Sequence, residues 1–221
     1  MSDLDSLHLK LQGHLDRQEK EWEHFIFSKE DGGFYQGLDE IKITGSRSSE
    51  KRFEEYEILE YLSKDKMVLD IGSNCGFFSI YVSKFVDRIF GVEINPYLVA
   101  ISNDVKDYLN IKNTNFINSS FEEFQSNEKF DMIFSFANDS TIDGNTKFNF
   151  SEYIEKIKNL LKEDGLLIFE SQAIDSVVTE QLDEKINYLE NKFTILKRKK
   201  VPSEYPKNVP FRDFLILKNQ T

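Results

Sequence analysis

The chain has 221 residues, 39% of them hydrophobic, with 20 Phe and 9 Tyr, which is enough apolar material for one sizeable core. Its formal net charge of −11, from 39 acidic and 28 basic side chains, sets the average surface against a nucleic-acid duplex and against an anionic membrane. Cys75 is the single cysteine, which excludes an internal disulfide and points to a reducing compartment. The acidic start Met1-Ser2-Asp3-Leu4-Asp5 lacks the apolar run of a secretory signal, and no stretch approaches the roughly 18 apolar residues of a membrane span. A cytoplasmic protein with no membrane partner is expected.

Leu4, Leu7, Leu11, Leu15, Trp22 and Phe25 recur mostly at steps of three, four or seven, the stripe of an amphipathic helix. A loop through Gly32, Gly33 and Gly37 follows, then Ile41-Lys42-Ile43 and a turn at Gly45-Ser46. Residues 49–62 read as a helix capped by Ser48 or Ser49. From Lys66 onward short apolar runs alternate with helical ones. Strands are expected at 67–71, 88–93, 115–118, 130–136 and 166–170, and helices at 76–85, 96–109, 150–161 and 175–191. Pro96 suits a first helical position. Two final strands, 193–196 and 212–217, have no helix between them. Alternation implies a parallel sheet with right-handed crossovers, and the closing pair implies one antiparallel strand. The expected domains are an N-terminal helical extension and active-site lid at 1–63 and a ligand-binding α/β domain at 64–221.

The chemistry concentrates in Val68-Leu69-Asp70-Ile71-Gly72-Ser73-Asn74-Cys75-Gly76-Phe77-Phe78-Ser79. A buried strand enters glycines and a helix opens after them, so a ligand can approach backbone N–H groups at a helix N-terminus. The Gly-x-x-x-Gly spacing is not the dinucleotide fingerprint. Asp70 would repel a pyrophosphate and attract an ammonium. S-adenosylmethionine carries an ammonium, a sulfonium and a carboxylate, so the helix N-terminus can face its carboxylate while Asp70 lies toward its amino group. Glu93, 21 positions after Gly72, ends the second strand where an acid accepts ribose hydroxyls.

These residues, with Gly91-Val92-Glu93-Ile94-Asn95-Pro96, Asn115 to Phe121, Phe130 to Ser135 and Leu160 to Ile168, resemble the class I S-adenosylmethionine-dependent methyltransferases, over about Met67 to Leu217. The resemblance implies a Rossmann-like, seven-stranded, mostly parallel α/β sheet of order 3-2-1-4-5-7-6 with the last strand antiparallel. It implies S-adenosylmethionine as cofactor, with Gly72, Ser73, Asn74 and Gly76 at its methionine end, Glu93 on the ribose and Ile94 on the adenine. Ser120 and Phe121 fall where the family contacts the adenine edge, and Ser135 and Phe136 beside the transferable methyl. Asn74 replaces the middle glycine of the family run, and Ser120 replaces its adenine-binding Asp.

Ligands of open α/β sheets sit beyond the carboxyl ends of the strands. The loop after the fourth strand, Phe136-Ala137-Asn138-Asp139-Ser140-Thr141-Ile142-Asp143-Gly144, is unlike the Asp-Pro-Pro-Tyr of many base-methylating enzymes. Asp139 is the leading candidate for a general base or acceptor-orienting group, and Glu170 the second. An Asn-Asp-Ser-Thr run also serves as ordinary turn chemistry. Asn138 and Tyr35, the latter in the aromatic lid Phe34-Tyr35-Gln36-Gly37, are candidate acceptor contacts. Arg47 and Arg52 could hold a phosphate or carboxylate, or pair with Glu50, Glu54 or Glu55 at helical spacing; Arg212 is a weaker candidate. His8, His14 and His24 lack metal-ligand spacing, so no metal is expected. Lys197-Arg198-Lys199-Lys200 resembles a nucleic-acid patch but reads better as a solvated strand edge. Cys75 reads as a packed side chain, and the leucine stripe leaves a homodimer contact open.

The leading expectation is methyl transfer to an oxygen or nitrogen of a small polar, anionic, sugar- or phosphate-bearing metabolite. The alternatives are an RNA or protein methyltransferase and a non-catalytic cofactor-binding scaffold subunit.

Overall fold

The computed structural model describes residues 2–28, 33–139, 146–176 and 179–220. Helix α1 (Asp3–Glu21) opens on a capping box between Ser2 and Asp5, then α2 (Ser49–Tyr56) opens on Ser48, whose hydroxyl accepts from the Lys51 amide. The alternating part follows: β1 (Met67–Ile71), α3 (Phe77–Val82), β2 (Arg88–Glu93), α4 (Pro96–Tyr108), β3 (Thr114–Asn118), β4 (Phe130–Phe136), α5 (Phe150–Leu160), β5 (Leu161–Glu170), α6 (Thr179–Glu190), β6 (Phe193–Pro202) and β7 (Phe211–Asn219).

The seven strands lie in the order β3-β2-β1-β4-β5-β7-β6, the expected 3-2-1-4-5-7-6. All neighbours pair in parallel except β7, which runs antiparallel to both β5 and β6. Because strand side chains alternate between faces, Leu69, Ile133, Leu167 and Leu215 enter one core with Tyr153, Ile154 and Ile157 of α5. Val68, Met132, Ile168 and Ile216 enter the other with Phe53 and Tyr56 of α2 and Phe78 and Val82 of α3. A third cluster joins Leu7, Leu11 and Leu15 of α1 to Leu98, Ile101 and Val105 of α4. The leucine stripe is therefore covered by its own fold.

Several boundaries differ from those the sequence predicts. Helix α1 stops at Glu21, and Trp22 is already extended, so Trp22 and Phe25 leave the stripe. Helix α2 stops at Tyr56 because Glu57 turns left-handed (φ 53°). Helix α5 gives way at Leu161, which pairs with Phe130, so β5 begins well before Leu166. Strands β6 and β7 extend to meet through the 203–210 loop. Lys197 to Lys200 lie on β6, the sheet edge, as expected. Lys197 and Lys199 pair with Glu57, and Arg198 and Lys200 with Asp213. No helix of the described residues is long and apolar enough to cross a membrane.

Candidate active site

The carboxyl ends of β1, β2, β4 and β5 open into a cavity of about 510 Å³, within the usual range for small-molecule sites. Its floor comes from Asp70, Gly72, Asn74 and Glu93. Phe136, Ala137, Asn138 and Gln172 form one wall, and the N-terminal residues Phe25, Phe27, Tyr35 and Gln36 lie opposite. A narrow crevice beside it runs past Asn74, Glu93, Asn95 and Leu98 under Trp22, Phe25 and Phe27. The N-terminal aromatics over these spaces thus include Trp22 and Phe25, which the sequence pattern places in the first helix, and Phe27.

The loop after β1 is built from left-handed residues: Gly72 at φ 63°, Asn74 at 54° and Gly76 at 71°. Asparagine is among the few side chains that visit this region, which accounts for Asn74 at the family's glycine position. A Cβ on Gly72 would lie 2.5 Å from Asn138 Oδ1, so this glycine admits the Asn138 amide, which also donates to the Ile71 carbonyl. Asp70 is buried and accepts from Ser79 Oγ at 2.5 Å; burial pushes its carboxyl up to about 6. Glu93 is fixed by the Asn74 and Asn95 amides, both at 2.9 Å on different oxygens. A carboxylate can accept from hydroxyl donors as well as from amides. Ser73 Oγ and Asn74 Oδ1 are buried with no hydrogen-bond partner among the described residues. A polar atom left so costs ~1–3 kcal/mol; Asn74 lines the crevice, where a polar ligand would relieve it, whereas Ser73 lines neither space. This donor and acceptor set fits the amino-acid and ribose parts of S-adenosylmethionine.

One expectation about the helix N-terminus is corrected. The α3 amides of Phe77 and Phe78 both donate to Gln36 Oε1, at 2.8 and 3.4 Å, while Gln36 Nε2 donates to the Ser73 carbonyl at 3.1 Å. These donors are occupied by a lid side chain and do not face a cofactor carboxylate. Sequence reasoning missed Gln36 because its partner helix lies 41 positions on.

The adenine-side residues are split. Ile94 is half-buried, and its carbonyl accepts from Asn118 Nδ2 at 2.7 Å. Ser120 Oγ accepts from the Glu123 amide at 3.3 Å, which makes it a turn cap. Phe121 is fully buried and meets Tyr153 edge-on, so its side chain belongs to the core and not to a ligand. Ser135 is likewise buried, hydrogen-bonded to Tyr153 Oη at 2.9 Å, a position set by the strand's inward face. Phe136, one residue on, faces the cavity.

Both carboxylates expected as bases are committed elsewhere. Asp139 is buried against Lys185 Nζ at 2.6 Å, and the same ammonium meets Asp175 at 2.8 Å. Asp139 does not line the cavity. Residues 140–144 of its loop lie outside the described residues. Glu170 is fully buried at the end of β5 and receives Arg47 Nη1 at 2.8 Å, Arg212 Nη1 at 3.1 Å, Arg52 Nη2 at 3.7 Å and the Tyr56 hydroxyl. Burial raises its carboxyl, but Arg47, Arg212 and Arg52 outweigh this and hold it at about 2. Such a group does not take a proton near neutrality.

The three arginines are 1%, 2% and 4% exposed. Arg52 and Arg212 line the cavity, while Arg47 stands behind Tyr35. Arg52 lies over the rings of Tyr56, Phe78 and Phe136, with its guanidinium carbon 5.2–5.4 Å from their centres. Among the described residues Glu170 is the only carboxylate in ion-pair contact with any of the three. The alternative pairing with Glu50, Glu54 or Glu55 is not the arrangement found.

Residues 62–209 match a family model described as a methyltransferase domain. A putative protein N5-glutamine methyltransferase of Methanocaldococcus jannaschii is 29% identical over 160 residues, 64% of this chain and 78% of that protein. The fold is similar to the N-methyltransferase NodS of Bradyrhizobium japonicum solved with S-adenosylhomocysteine (TM-score 0.62, 15% identity, 78% of this chain and 87% of that one). It is also similar to an rRNA methylase of Streptococcus thermophilus (TM-score 0.55, 16% identity, 76% and 95%). A third likeness is the M. jannaschii tRNA m1G37 methyltransferase (TM-score 0.55, 18% identity), of which this chain spans about half. With the 3-2-1-4-5-7-6 sheet and a loop after β1 suited to the cofactor, the chain belongs to the methyltransferase-domain family and is a class I S-adenosylmethionine-dependent methyltransferase.

Proposed function

We propose that the enzyme methylates an oxygen or nitrogen of a small polar metabolite that carries a carboxylate or phosphate, as a sugar- or phosphate-bearing compound would. The observation that carries this reading is the buried arginine trio sharing the single carboxylate of Glu170, with Arg52 and Arg212 on the cavity wall. Buried cations are costly unless paired, and guanidinium groups pair best with carboxylate and phosphate. An anionic acceptor would complete the charge balance that the protein leaves open.

In this reading Asp70, Gly72, Ser73, Asn74, Gly76 and Glu93 hold the cofactor, and Phe25 and Phe27 cover it. Bound S-adenosylmethionine supplies an electrophilic methyl on a sulfonium. Arg52 and Arg212 orient the acceptor by its anionic group, while Asn138 and Gln172 offer polar contacts on the wall. The aromatic lid excludes water from the line of transfer. The pairing of Lys197 to Lys200 with Glu57 and Asp213 supports a small acceptor over RNA.

Incubation with methyl-labelled S-adenosylmethionine and a metabolite extract tests the reading. Label is expected in small molecules retained on an anion exchanger, and Arg212→Gln should reduce it at least tenfold. Label confined to added RNA or protein would overturn the reading in favour of a macromolecular acceptor. Cofactor binding with no acceptor labelled would favour a non-catalytic scaffold.

A further inference from the structure

Transfer to a hydroxyl, or to an amide-like nitrogen, needs a group to receive its proton, and neither Asp139 nor Glu170 is placed for it. We propose that the Tyr35 hydroxyl is that proton acceptor. Tyr35 lines both the large cavity and the crevice past Glu93, so it stands where the acceptor and cofactor spaces meet. Phe27 and Tyr205 hold its ring at centroid distances of 5.9 and 5.5 Å. Arg47 Nη1 approaches its oxygen at 3.2 Å. A guanidinium has no acceptor, so the Tyr35 oxygen must accept from Arg47. Its own proton has no acceptor among the described residues, and this leaves its remaining capacity for a group in the cavity.

The charges facing Tyr35 are Arg47, Arg212, Arg52 and Glu170. Burial raises the phenol, and Glu170 raises it further, but the three arginines outweigh both and hold it below the usual tyrosine range. The step balances in atoms and charge. Once the Tyr35 phenol has lost its own proton, the acceptor's X–H bond breaks and its proton passes to the Tyr35 oxygen. The freed pair on X forms the bond to the methyl carbon, and the methyl–sulfur bond breaks with its pair left on sulfur. Arg47, held in place by Glu170, is a positioning residue that keeps the phenolate stabilised.

The inference rests on the acceptor occupying this cavity, and the test separates the two. Tyrosinate absorbance is followed across pH in the full-length protein and in Tyr35→Phe, with and without inorganic phosphate. Tyr35→Phe keeps the ring and its packing. One of the nine tyrosines is expected to ionise below the rest, and this step should vanish in Tyr35→Phe. Phosphate bound to Arg52 and Arg212 should move the step to higher pH. Wild type and Tyr35→Phe with the same early titration would overturn the proposal even if phosphate binds. A Tyr35 step that phosphate leaves unmoved, with no phosphate binding, would instead overturn the anionic-acceptor reading and leave Tyr35 standing. Labelling of the anionic fraction, measured at a pH where the Tyr35 step is complete, should fall ~100-fold in Tyr35→Phe, the usual loss for a proton-transfer group; unchanged labelling there would also overturn it.

Discussion

The Arg47 guanidinium meets the Glu170 carboxylate at 2.8 Å across 123 positions of chain, with both side chains essentially without solvent contact. The pair ties the N-terminal segment to the end of β5. It also fixes the charge beside the large cavity, because Arg52 and Arg212, which line it, converge on the same carboxylate.

Glu170→Gln should therefore destabilise the fold by ~3–5 kcal/mol, since three buried cations lose their counter-ion. The pH dependence carries a sign. The folded pKa of about 2 lies below the ordinary 4.5, so this stabilisation is complete above about 4.5 and is lost as pH falls toward about 2. Urea midpoints of wild type and variant should differ most near neutrality and converge in acid. A difference constant with pH would contradict the role of the ionised carboxylate.

Asp70 behaves in the opposite sense. Its folded pKa of about 6 lies above the ordinary 3.8, so its protonated form favours the fold below about 3.8 and that contribution is lost as pH rises through about 6. Asp70→Asn cannot ionise and still accepts from Ser79. At pH 7 it should match or exceed wild-type stability, by up to ~3 kcal/mol, with no gain at pH 4. Cofactor affinity should drop in the variant, and in wild type below pH 6, if the ionised carboxylate faces the cofactor's ammonium. Calorimetric titration at pH 5 and 7.5 reads both effects.

Gly37→Ala should loosen the N-terminal segment that borders the cavity. A Cβ there would overlap the Thr44 carbonyl oxygen and lie 2.6 Å from its carbon, and a backbone group has no rotamer with which to yield. The parallel pairing of Gln36–Gly37 with Arg47–Ser48 would separate, drawing Gln36 from α3 and Arg47 from Glu170. The expected cost is ~1–3 kcal/mol. Hydrogen exchange gives the local readout: the Phe77 and Phe78 amides, capped by Gln36, should exchange faster in the variant.

Most of the sheet was legible in the sequence because each strand is a short apolar run bounded by turn residues and most crossovers have a 3.6-residue period, the turn-built connection from Asn118 to Phe130 excepted. The left-handed loop after β1 and the acid ending β2 were legible because glycines, Asp70 and Glu93 stand at fixed spacing within one β-α-β unit. The arginine-lined end of the cavity was only half legible. Arg47 and Arg52 were visible as cations near the core, but their shared partner Glu170 lies more than 110 positions away, where no local pattern points to it. Tyr205 enters from the 203–210 loop and Phe25 from beyond α1. Phe121 and Ser135 were misplaced because a resemblance assigns positions, while the direction of a side chain depends on strand phase and packing.

Asp139 shows the same gap between position and environment. Its carboxylate, the Lys185 ammonium and the Asp175 carboxylate form one buried chain linking the end of β4 to α6. Burial raises the Asp139 carboxyl even though Lys185 pulls it down. In Asp139→Asn, Lys185 keeps Asp175, so the expected cost is ~1–3 kcal/mol. In Lys185→Met two buried carboxylates lose their cation, and the cost should reach ~3–5 kcal/mol. The double variant should be less destabilised than the sum, because removing Asp139's charge relieves part of what Lys185→Met exposes. Cofactor affinity should stay at the wild-type value throughout. Labelling of the anionic fraction per folded molecule should fall less than threefold in Asp139→Asn; a hundredfold fall with stability intact would return Asp139 to the role of base and remove the need for Tyr35.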